Sequence, residues 1–424
     1  MTTPYDALEM RSPAQREAAL LAALPQQIAH AQSHAPAFAH ILKGVEGAAI
    51  TSRAALAHLP VTRKHELLDR QQAARQTRGA DAAHDVFGGF SALRFGAQMP
   101  RVFASPGTIY EPEGTRTDYW RMARAMHAAG FKPGQLIHNS FSYHFVPAGA
   151  MMESGAHALG CTVFPAGTGQ TEQQVQAMAE LQPAGYIGTP SFLKIIVQKA
   201  AEMAVALPSV TRALVSGEAF PPSLRDWLSA RGIAAYQCYA SADLGLIAYE
   251  TEAREGLVLD EGVMVEIVRP GTGDAVAEGE VGEVVVTTLN PDYPLIRFGT
   301  GDLSALLPGR CPTGRTNSRI KGWMGRADQT VKVKGMFVHP GQIAVIAKRF
   351  PEVLKARLVV RGEMANDNMT LQVEVEVEFF SAALEQRIGE AIRDVTKLRG
   401  MVERVAPGGL PNDGKVIEDA RNYA

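Results

Sequence analysis

The sequence predicts an α/β protein with a large N-terminal domain of layered, mostly parallel sheets and a small, mobile α+β C-terminal domain. Three observations predict it. The 424 residues exceed the length of one ordinary domain. From about residue 130, short apolar runs alternate with helical stretches, and near residue 325 the pattern changes to a compact mixture of strands and helices. We therefore expect domains over residues 1–327 and 328–424.

The first 75 or so residues are typical of helices, with alanine, leucine and glutamine prominent. Ser12 and Pro13 predict the start of the first helix, and Glu17 is placed to serve its first turns. Thr51-Ser52 and Thr62 predict two further helix starts.

The alternating region predicts a largely parallel sheet, because each apolar run ends in small or turn-forming residues and most runs precede a helical stretch. In such sheets, ligands lie at the carboxyl ends of the strands, so functional residues are expected just after each run. The runs are Gln135–Asn139, Cys161–Pro165, Gly185–Gly188, Ala213–Ser216 and Ala234–Cys238.

Beyond residue 256 the pattern becomes β-rich. Val263–Val268 and Gly282–Leu289 are separated by glycine-rich turns and predict a small antiparallel or barrel-like unit. The C-terminal segment then predicts a β pair, a helix, two strands, a helix and a strand, in that order: Gln329–Val338, Gly341–Arg349, Ala356–Gly362, Met369–Glu378, Ala382–Lys397 and Met401–Val405.

The composition excludes several classes of protein. A formal net charge of −2 disfavours a nucleic-acid-binding protein or a polybasic membrane surface. The three cysteines, Cys161, Cys238 and Cys311, are far apart, so we expect neither a disulfide framework nor a zinc site. No signal peptide or long apolar run is evident, which favours a cytoplasmic protein.

Six segments, in order and at their spacing, resemble the phenylacetate–CoA ligases of the adenylate-forming (acyl-CoA synthetase) superfamily. The resemblance covers nearly the whole chain. The segments are YDALEMRSP (5–13), TPS (189–191), SGEAFP (216–221), YASAD (239–243), YPLIRFGTGD (293–302) with GRAD (325–328), and LPNDGK (410–415).

The resemblance implies an adenine site after two of the strands. Ser216, Gly217, Glu218 and Ala219 would place backbone against adenine, for which small residues are suited. An ordinary strand-to-helix turn is the alternative for this segment. Tyr239, with Ala240 and Ser241, would pack on the ring, and Asp243 would hold Mg²⁺ near the phosphates. A core tyrosine and a helix-capping aspartate are the alternatives.

The resemblance also assigns four residues nearer the C-terminus. Asp302 would accept hydrogen bonds from both ribose hydroxyls, and Arg326 would reach the ribose or phosphates. Asp328 would be the hinge about which the C-terminal domain rotates between two half-reactions. Lys415 would contact the carboxylate and the α-phosphate during adenylation. A plain β-turn, a surface acid and a solvated lysine are the alternatives for Asp302, Asp328 and Lys415.

The phosphate loop departs from the family pattern. Ser105, Gly107, Thr108 and Pro112 keep it. Pro106 removes a backbone donor, Tyr110 replaces the second glycine, and Glu111 replaces a basic residue. Two interpretations remain open. Arg101, Arg116 or Arg121 supplies the lost charge in a rearranged loop, or the protein has lost ATP turnover and kept a nucleotide or acyl pocket.

The resemblance implies that the acid lies between two segments, FSYHFVPAGAMME (141–153) and Ser216–Tyr239. The aromatic and small side chains of the first segment suit an aromatic or medium-sized apolar acid, although core packing explains some of them equally well. The candidate substrate-contacting residues are Tyr143, His144, Phe145, Ala148, Gly149 and Met152.

Together these features predict an AMP-forming ligase that joins an acid, phenylacetate-like by resemblance, to coenzyme A. Its substrates would be ATP and the acid, with Mg²⁺ as the ion and no zinc, nucleic acid or membrane as partner. A homodimer is expected from the resemblance. Delivery of the acyl group to a carrier protein, or a non-catalytic nucleotide- or acyl-binding protein, are the alternatives.

Overall fold

The computed structural model describes residues 3–76, 85–105, 108–333, 336–362 and 368–421. The chain divides into two compact units. The first comprises Met1–Thr300 and Ala305–Trp323, and the second comprises Gly301–Ser304 and Met324–Ala424. The domain boundary expected at Asp328 lies close to the junction between Trp323 and Met324.

The first unit begins with the helices α1 (Pro13–His34), α2 (Pro36–Ile41), α3 (Arg53–Ala57) and α4 (Lys64–Gln76). Ser12 caps α1 as expected, but Gln15 completes its capping box, while Glu17 pairs with Arg53 at 2.8 Å. Ser52 caps α3.

The helix start expected at Thr62 is wrong. Thr62–Arg63 form a short strand, β1, which pairs in parallel with Phe298 and Gly299. The helix begins at Lys64 instead, two residues further on. A threonine suits both a cap and a strand, so its tertiary partner decides between them.

The motif YDALEMRSP forms part of a buried ionic cluster. The Glu9 carboxylate accepts hydrogen bonds from Tyr249 Oη at 2.6 Å, Arg315 Nε at 3.1 Å and the Tyr5 backbone N–H at 2.8 Å. The Glu9 and Arg315 side chains are 0% and 1% exposed. The motif therefore fastens the N-terminal segment to the sheet.

A long sheet forms the centre of this unit. Its strands are β4 (Leu136–Asn139), β5 (Thr162–Pro165), β6 (Gly185–Gly188), β7 (Arg212–Val215), β8 (Ala234–Ser241), β9 (Gly245–Glu250), β10 (Leu257–Leu259), β14 (Leu306–Leu307) and β15 (Arg319–Ile320). Their order in the described residues is β14-β15-β10-β9-β8-β7-β6-β4-β5. Strands β4 to β8 are parallel, and β9, β10, β14 and β15 extend them in antiparallel fashion.

Helices connect or flank the parallel strands, as the alternating pattern predicts. They are α5 (Ala123–Ala128), α6 (Ala148–Ala158), α7 (Thr171–Leu181), α8 (Pro190–Glu202) and α9 (Pro222–Ser229). In the described part of the chain, no helix is both long and apolar enough to cross a bilayer.

Two smaller β structures complete the first unit. The antiparallel hairpin of β2 (Arg101–Ser105) and β3 (Ile109–Glu113) brackets the candidate phosphate loop. The β-rich segment contributes β11 (Val263–Val268), β12 (Gly282–Thr288) and β13 (Phe298–Ser304) to a sheet of order β1-β13-β12-β11. In the described strands this sheet keeps two edges, so the barrel-like unit is an open sheet.

The second unit is an α+β fold with its own apolar core. Its elements are β16 (Val331–Val333), β17 (Met336–Val338), α10 (Pro340–Lys348), β18 (Lys355–Arg361), β19 (Asn368–Glu374), α11 (Ala382–Thr396), β20 (Met401–Val405) and β21 (Ile417–Asp419). A four-stranded sheet of order β20-β19-β18-β21 carries the two helices, and β16 and β17 form a separate pair.

Candidate active site

Glu111 points into the interior behind the phosphate hairpin. Its side chain accepts a hydrogen bond from Ser105 Oγ at 2.5 Å, and the residue is 2% exposed. The other oxygen of this carboxyl group, Oε2, is also buried, and the side chain lies within hydrogen-bonding reach of the Asp243 side chain. The substitution that breaks the family pattern is therefore a buried carboxylate, not a surface charge.

Asp243 lies in the tight turn between β8 and β9. Gly245 ends this turn with φ +71°, and a Cβ there would come within 2.7 Å of the Trp120 carbonyl oxygen. Only glycine therefore allows the turn to pack so closely against residue 120. The packing leaves the Asp243 side chain 1% exposed.

Lys64, at the first position of α4, pairs with Asp243. Its Nζ lies 2.9 Å from Asp243 Oδ2, and Asp243 Oδ1 is buried. Burial, together with the negative charge of Asp243, raises the pKa of Glu111 to about 8. Two carboxyl groups and one ammonium group thus meet behind the phosphate hairpin.

Sequence reasoning did not identify Lys64. A strand followed directly by a lysine that opens a helix is an ordinary pattern, and no spacing links residue 64 to residue 243. The same helix also holds the hairpin. Gln71 exchanges two hydrogen bonds with the backbone of Tyr110, and Arg75 donates to the Thr108 carbonyl at 3.0 Å.

The three arginines considered as substitutes for the lost basic residue are each paired with an acid. Arg101 pairs with Glu113 across the hairpin, at 2.5 and 2.8 Å. Arg116 contacts Asp292 at 3.1 Å, and Arg121 contacts Asp260 at 2.6 Å. In the described structure, the cation beside Asp243 is instead Lys64.

The expected adenine segment lies at the carboxyl ends of β7 and β8. Ser216 Oγ donates to the Cys238 carbonyl at 2.8 Å, which joins the two strand ends. Glu218 accepts a hydrogen bond from the Ser191 backbone N–H at 2.6 Å and so connects this segment to the Thr189-Pro190-Ser191 turn. Gly217 and Ala219 lie in the same stretch.

Tyr239 lies near the end of β8, where the pairing with β9 shifts register between Tyr239 and Ala240. Tyr239 is half-buried and packs against an apolar core cluster. Ser241 Oγ accepts a hydrogen bond from the Leu244 backbone at 3.2 Å and closes the turn that carries Asp243. The YASAD motif is therefore the end of a strand and the turn after it.

The acid-contacting candidates lie on the loop and helix that follow β4. Asn139 donates to Tyr143 Oη at 2.8 Å and to the Gly149 carbonyl at 2.9 Å, and Tyr143 Oη donates to Glu153 at 2.9 Å. Burial and the contact with Glu153 raise the pKa of Tyr143. The Ala104 backbone N–H donates to the Phe145 carbonyl at 2.8 Å, so this loop pairs with the phosphate hairpin.

The remaining candidates of this segment differ in exposure. His144 is exposed, and the Phe145 side chain is 80% exposed. Ala148 is half-buried at the start of α6, and Met152 is buried in an apolar core cluster. Met152 thus shows the core packing that was the alternative interpretation.

Asp302 and Arg326 are brought together within the second unit. Arg326 Nη1 lies 3.1 Å from Asp302 Oδ1, and the two residues also form a backbone bridge. Gly301 has φ +72°, and a Cβ there would lie 2.6 Å from Arg326 Nη2. The GTGD turn therefore needs this glycine so that the guanidinium can lie against its backbone.

Lys415 is exposed on a loop of the same unit. Gln329 holds this loop on both sides of the lysine, since its side chain donates to the Gly414 carbonyl at 3.2 Å and accepts from Val416 N–H at 2.9 Å. Asp413 pairs with Arg357 at 2.6 and 2.7 Å. These contacts anchor the loop and leave the ammonium group exposed.

Pro106 and Gly107 of the phosphate loop lie outside the described residues. Asp328 lies in a short 3₁₀ turn, Ala327–Gln329, next to the glutamine that holds the Lys415 loop.

Two family models match the chain. That of AMP-binding enzymes covers residues 117–290, and that of the AMP-binding enzyme C-terminal domain covers residues 335–419. A phenylacetate-coenzyme A ligase of Pseudomonas putida is 30% identical over 329 residues, which are 73% of this chain and 74% of that protein. The chain belongs to the phenylacetate-CoA ligase family of AMP-forming acid–CoA ligases. A second relative in this family, from Thermus thermophilus, is 29% identical over 93% of this chain and 89% of its own length.

Solved structures agree on the fold of this family. An open conformation of 2-hydroxyisobutyryl-CoA ligase, in complex with 2-HIB-AMP and CoA, matches with a TM-score of 0.84. The match covers 99% of this chain and 96% of that one, at 24% identity. At this identity the likeness establishes the adenylate-forming ligase fold, and the acid is a separate question.

Proposed function

We propose that this ligase activates an aromatic, phenylacetate-like acid with ATP and transfers the acyl group to coenzyme A. The family match supports an AMP-forming acid–CoA ligase reaction, and the relatives named phenylacetate-coenzyme A ligases support an aromatic acid as the substrate. The single structural observation that supports catalysis most is the Asp302–Arg326 contact at 3.1 Å beside the glycine turn. This contact presents a carboxylate and a guanidinium side by side, which suits a ribose 5′-phosphate.

In this proposal the acid's carboxylate oxygen attacks the α-phosphorus of ATP, and pyrophosphate leaves. The ammonium group of Lys415 offsets the charge that develops on the α-phosphate. The thiol of coenzyme A then attacks the acyl carbon, the bond to AMP breaks, and the thiol proton passes to solvent. Rotation of the domain comprising residues 328–424 about Asp328 between these steps is part of the proposal.

The nucleotide is proposed to contact residues at the strand ends and in the hairpin. The half-buried Tyr239 offers an aromatic face to adenine, and the segment that follows β7 offers backbone groups. The proposed nucleotide-binding residues are Ser105, Gly107, Thr108, Ser216, Gly217, Glu218, Ala219, Tyr239, Ala240, Ser241, Asp302 and Arg326.

The acid is proposed to lie beside the loop that follows β4. Tyr143, fixed by Asn139 and Glu153, gives this loop a rigid aromatic wall. Gly149 lets the Tyr143 ring pack closely, because a Cβ at residue 149 would lie 2.8 Å from ring atoms. His144, Phe145, Ala148 and Met152 complete the proposed set. Because Met152 is buried in the core, we expect it to act by supporting the wall rather than by touching the acid.

Mg²⁺ is the proposed ion, and Asp243 is its proposed ligand. The carboxylate of Asp243 suits this role by its chemistry, because Mg²⁺ prefers carboxylate oxygens. When bound, the ion would neutralise phosphate charge. A homodimer remains a prediction, and the mass of the particle measured by light scattering tests it.

Pyrophosphate exchange tests the proposed function. The protein is incubated with ATP, labelled pyrophosphate and a panel of aryl and alkyl acids, and label entering ATP is measured. We expect exchange that is strongest with arylacetic acids. Exchange only with short alkyl acids would contradict the aromatic substrate, and AMP binding without exchange for any acid would favour the non-catalytic alternative. Acyl transfer to a carrier protein but not to coenzyme A would favour the other alternative.

A further inference from the structure

One side-chain amide, that of Gln329, contacts the backbone on both sides of Lys415. Its Nε2 donates to the Gly414 carbonyl at 3.2 Å, and its Oε1 accepts from the Val416 N–H at 2.9 Å. Glutamine suits this position because its amide carries both a donor and an acceptor. The two hydrogen bonds therefore restrain the backbone from which the lysine side chain projects.

The apolar core of the second unit anchors both partners of this contact. Gln329 lies just before β16, in which Val331 and Val333 are 4% and 1% exposed. The lysine loop runs into β21, in which Ile417 enters the same core cluster. The contact therefore lies within one compact unit, and Gln329 ties the start of that unit to the loop near its end.

Gly414 is the joint of the lysine loop. Before it, the Asp413 carboxylate accepts from Arg357 Nη2 at 2.6 and 2.7 Å and from the Lys415 N–H at 3.0 Å. Gly414 itself has φ +75°, and nothing lies within 4 Å of the place that a Cβ would take. An open glycine leaves the chain free to turn, so the Gln329 amide is the contact that restrains this joint.

We propose that Gln329 is a positioning residue for the adenylation step, which it serves by holding the Lys415 loop. The inference rests on the role proposed for Lys415, because an ammonium group offsets developing charge best when it is held in place beforehand. It also gives the proposed hinge a consequence. Gln329 directly follows Asp328, so a backbone rotation at Asp328 carries the lysine loop with it.

Gln329→Met tests the proposal, because methionine keeps the length of the side chain and removes both hydrogen bonds. We expect pyrophosphate exchange to fall roughly tenfold, since each hydrogen bond contributes a modest net free energy to holding the loop. Thioester formation from preformed acyl-adenylate should not change. Loss of both steps to the same extent, or of neither, would overturn the positioning role.

Gln342→Met is the matched control. The Gln342 amide also makes two backbone contacts in the second unit, accepting from the His339 N–H and donating to the Val395 carbonyl, both at 3.1 Å. Its loss should weaken the cap of α10 and leave pyrophosphate exchange unchanged. An equal fall in exchange for the two variants would mean general destabilisation and would refute a specific role for Gln329.

Trypsin cleavage after Lys415 separates the proposal from the proposed function, because it needs no activity. Cleavage requires local opening of the loop, so Gln329→Met should release fragments that begin at Val416 roughly tenfold faster than the unchanged protein. Gln342→Met should not. Mass spectrometry of the digest measures the rate, and equal rates for Gln329→Met and the unchanged protein would overturn the proposed restraint.

The two readouts together assign any failure. Faster cleavage of Gln329→Met, without pyrophosphate exchange by the unchanged protein for any acid, would support the restraint and contradict the proposed function. Exchange that Lys415→Ala loses and Gln329→Met retains in full would keep the role of Lys415 and refute that of Gln329.

Discussion

Replacement of Glu9 by alanine should destabilise the first unit strongly. The Glu9 side chain is 0% exposed and accepts hydrogen bonds from Tyr249, Arg315 and the Tyr5 backbone. Its removal leaves the Arg315 guanidinium, which is 1% exposed, with an uncompensated charge. Breaking a buried ion pair from one side costs about 3–5 kcal/mol.

Urea unfolding, followed by tryptophan fluorescence, measures this cost. With an m-value of about 3 kcal/mol per molar urea, the midpoint should fall by roughly 1 M or more. Glu17→Ala is the matched control, because Glu17 pairs with Arg53 at 2.8 Å but both side chains are about 40% exposed. Exposed pairs contribute at most about 1 kcal/mol. Equal midpoints for Glu9→Ala and Glu17→Ala would refute the claim that burial makes the first pair important.

Three further predictions concern the lysine, the turn and the thiols. Lys415→Ala should lower pyrophosphate exchange by about 10²–10³-fold but keep thioester formation from preformed acyl-adenylate. A variant that retains both steps would contradict the proposed role of Lys415. Gly245→Ala should lower the urea midpoint more than Gly232→Ala. Both glycines have a positive φ, but only at Gly245 would the new Cβ lie 2.7 Å from a backbone atom, the Trp120 carbonyl oxygen. Equal effects of the two substitutions would refute the packing argument. Burial raises the pKa of the Cys238 thiol to about 12. This thiol should therefore resist dithionitrobenzoate at pH 8 in the folded protein and react after guanidinium has unfolded the chain. Rapid reaction of Cys238 in the folded protein would contradict its burial.

Much of the fold was predictable because apolar periodicity reports burial. The runs at Gly185–Gly188, Val263–Val268 and Met401–Val405 match the observed strands residue for residue. Strand β21 was missed, since three residues after a Pro-Asn-Asp-Gly turn give no periodic signal. It forms because Ile417 pairs with Leu358 and enters the core of the second unit.

The candidate site was predictable where one segment contains the chemistry and hidden where distant segments meet. Asp302 and Arg326 stood in recognisable motifs, and the structure places them in contact. Lys64 could not be found, because its role depends on a contact with a residue 179 positions away. Glu111 was noticed as a departure, but its burial required the hairpin and α4 to be seen together.

Glu111 and Asp243 lie at one place, and a shared proton explains how two buried carboxyl groups can be neighbours there. Burial and the negative charge of Asp243 raise the pKa of Glu111 to about 8, so near pH 7 Glu111 carries the proton. The ammonium group of Lys64 then balances the charge of Asp243. A charged glutamate in the hairpin would repel phosphate, whereas a protonated and buried one adds no negative charge to it. The substitution that disfavours phosphate binding in the sequence is therefore a neutral side chain in the structure, where Ser105 Oγ donates to it at 2.5 Å and joins the two strands of the hairpin.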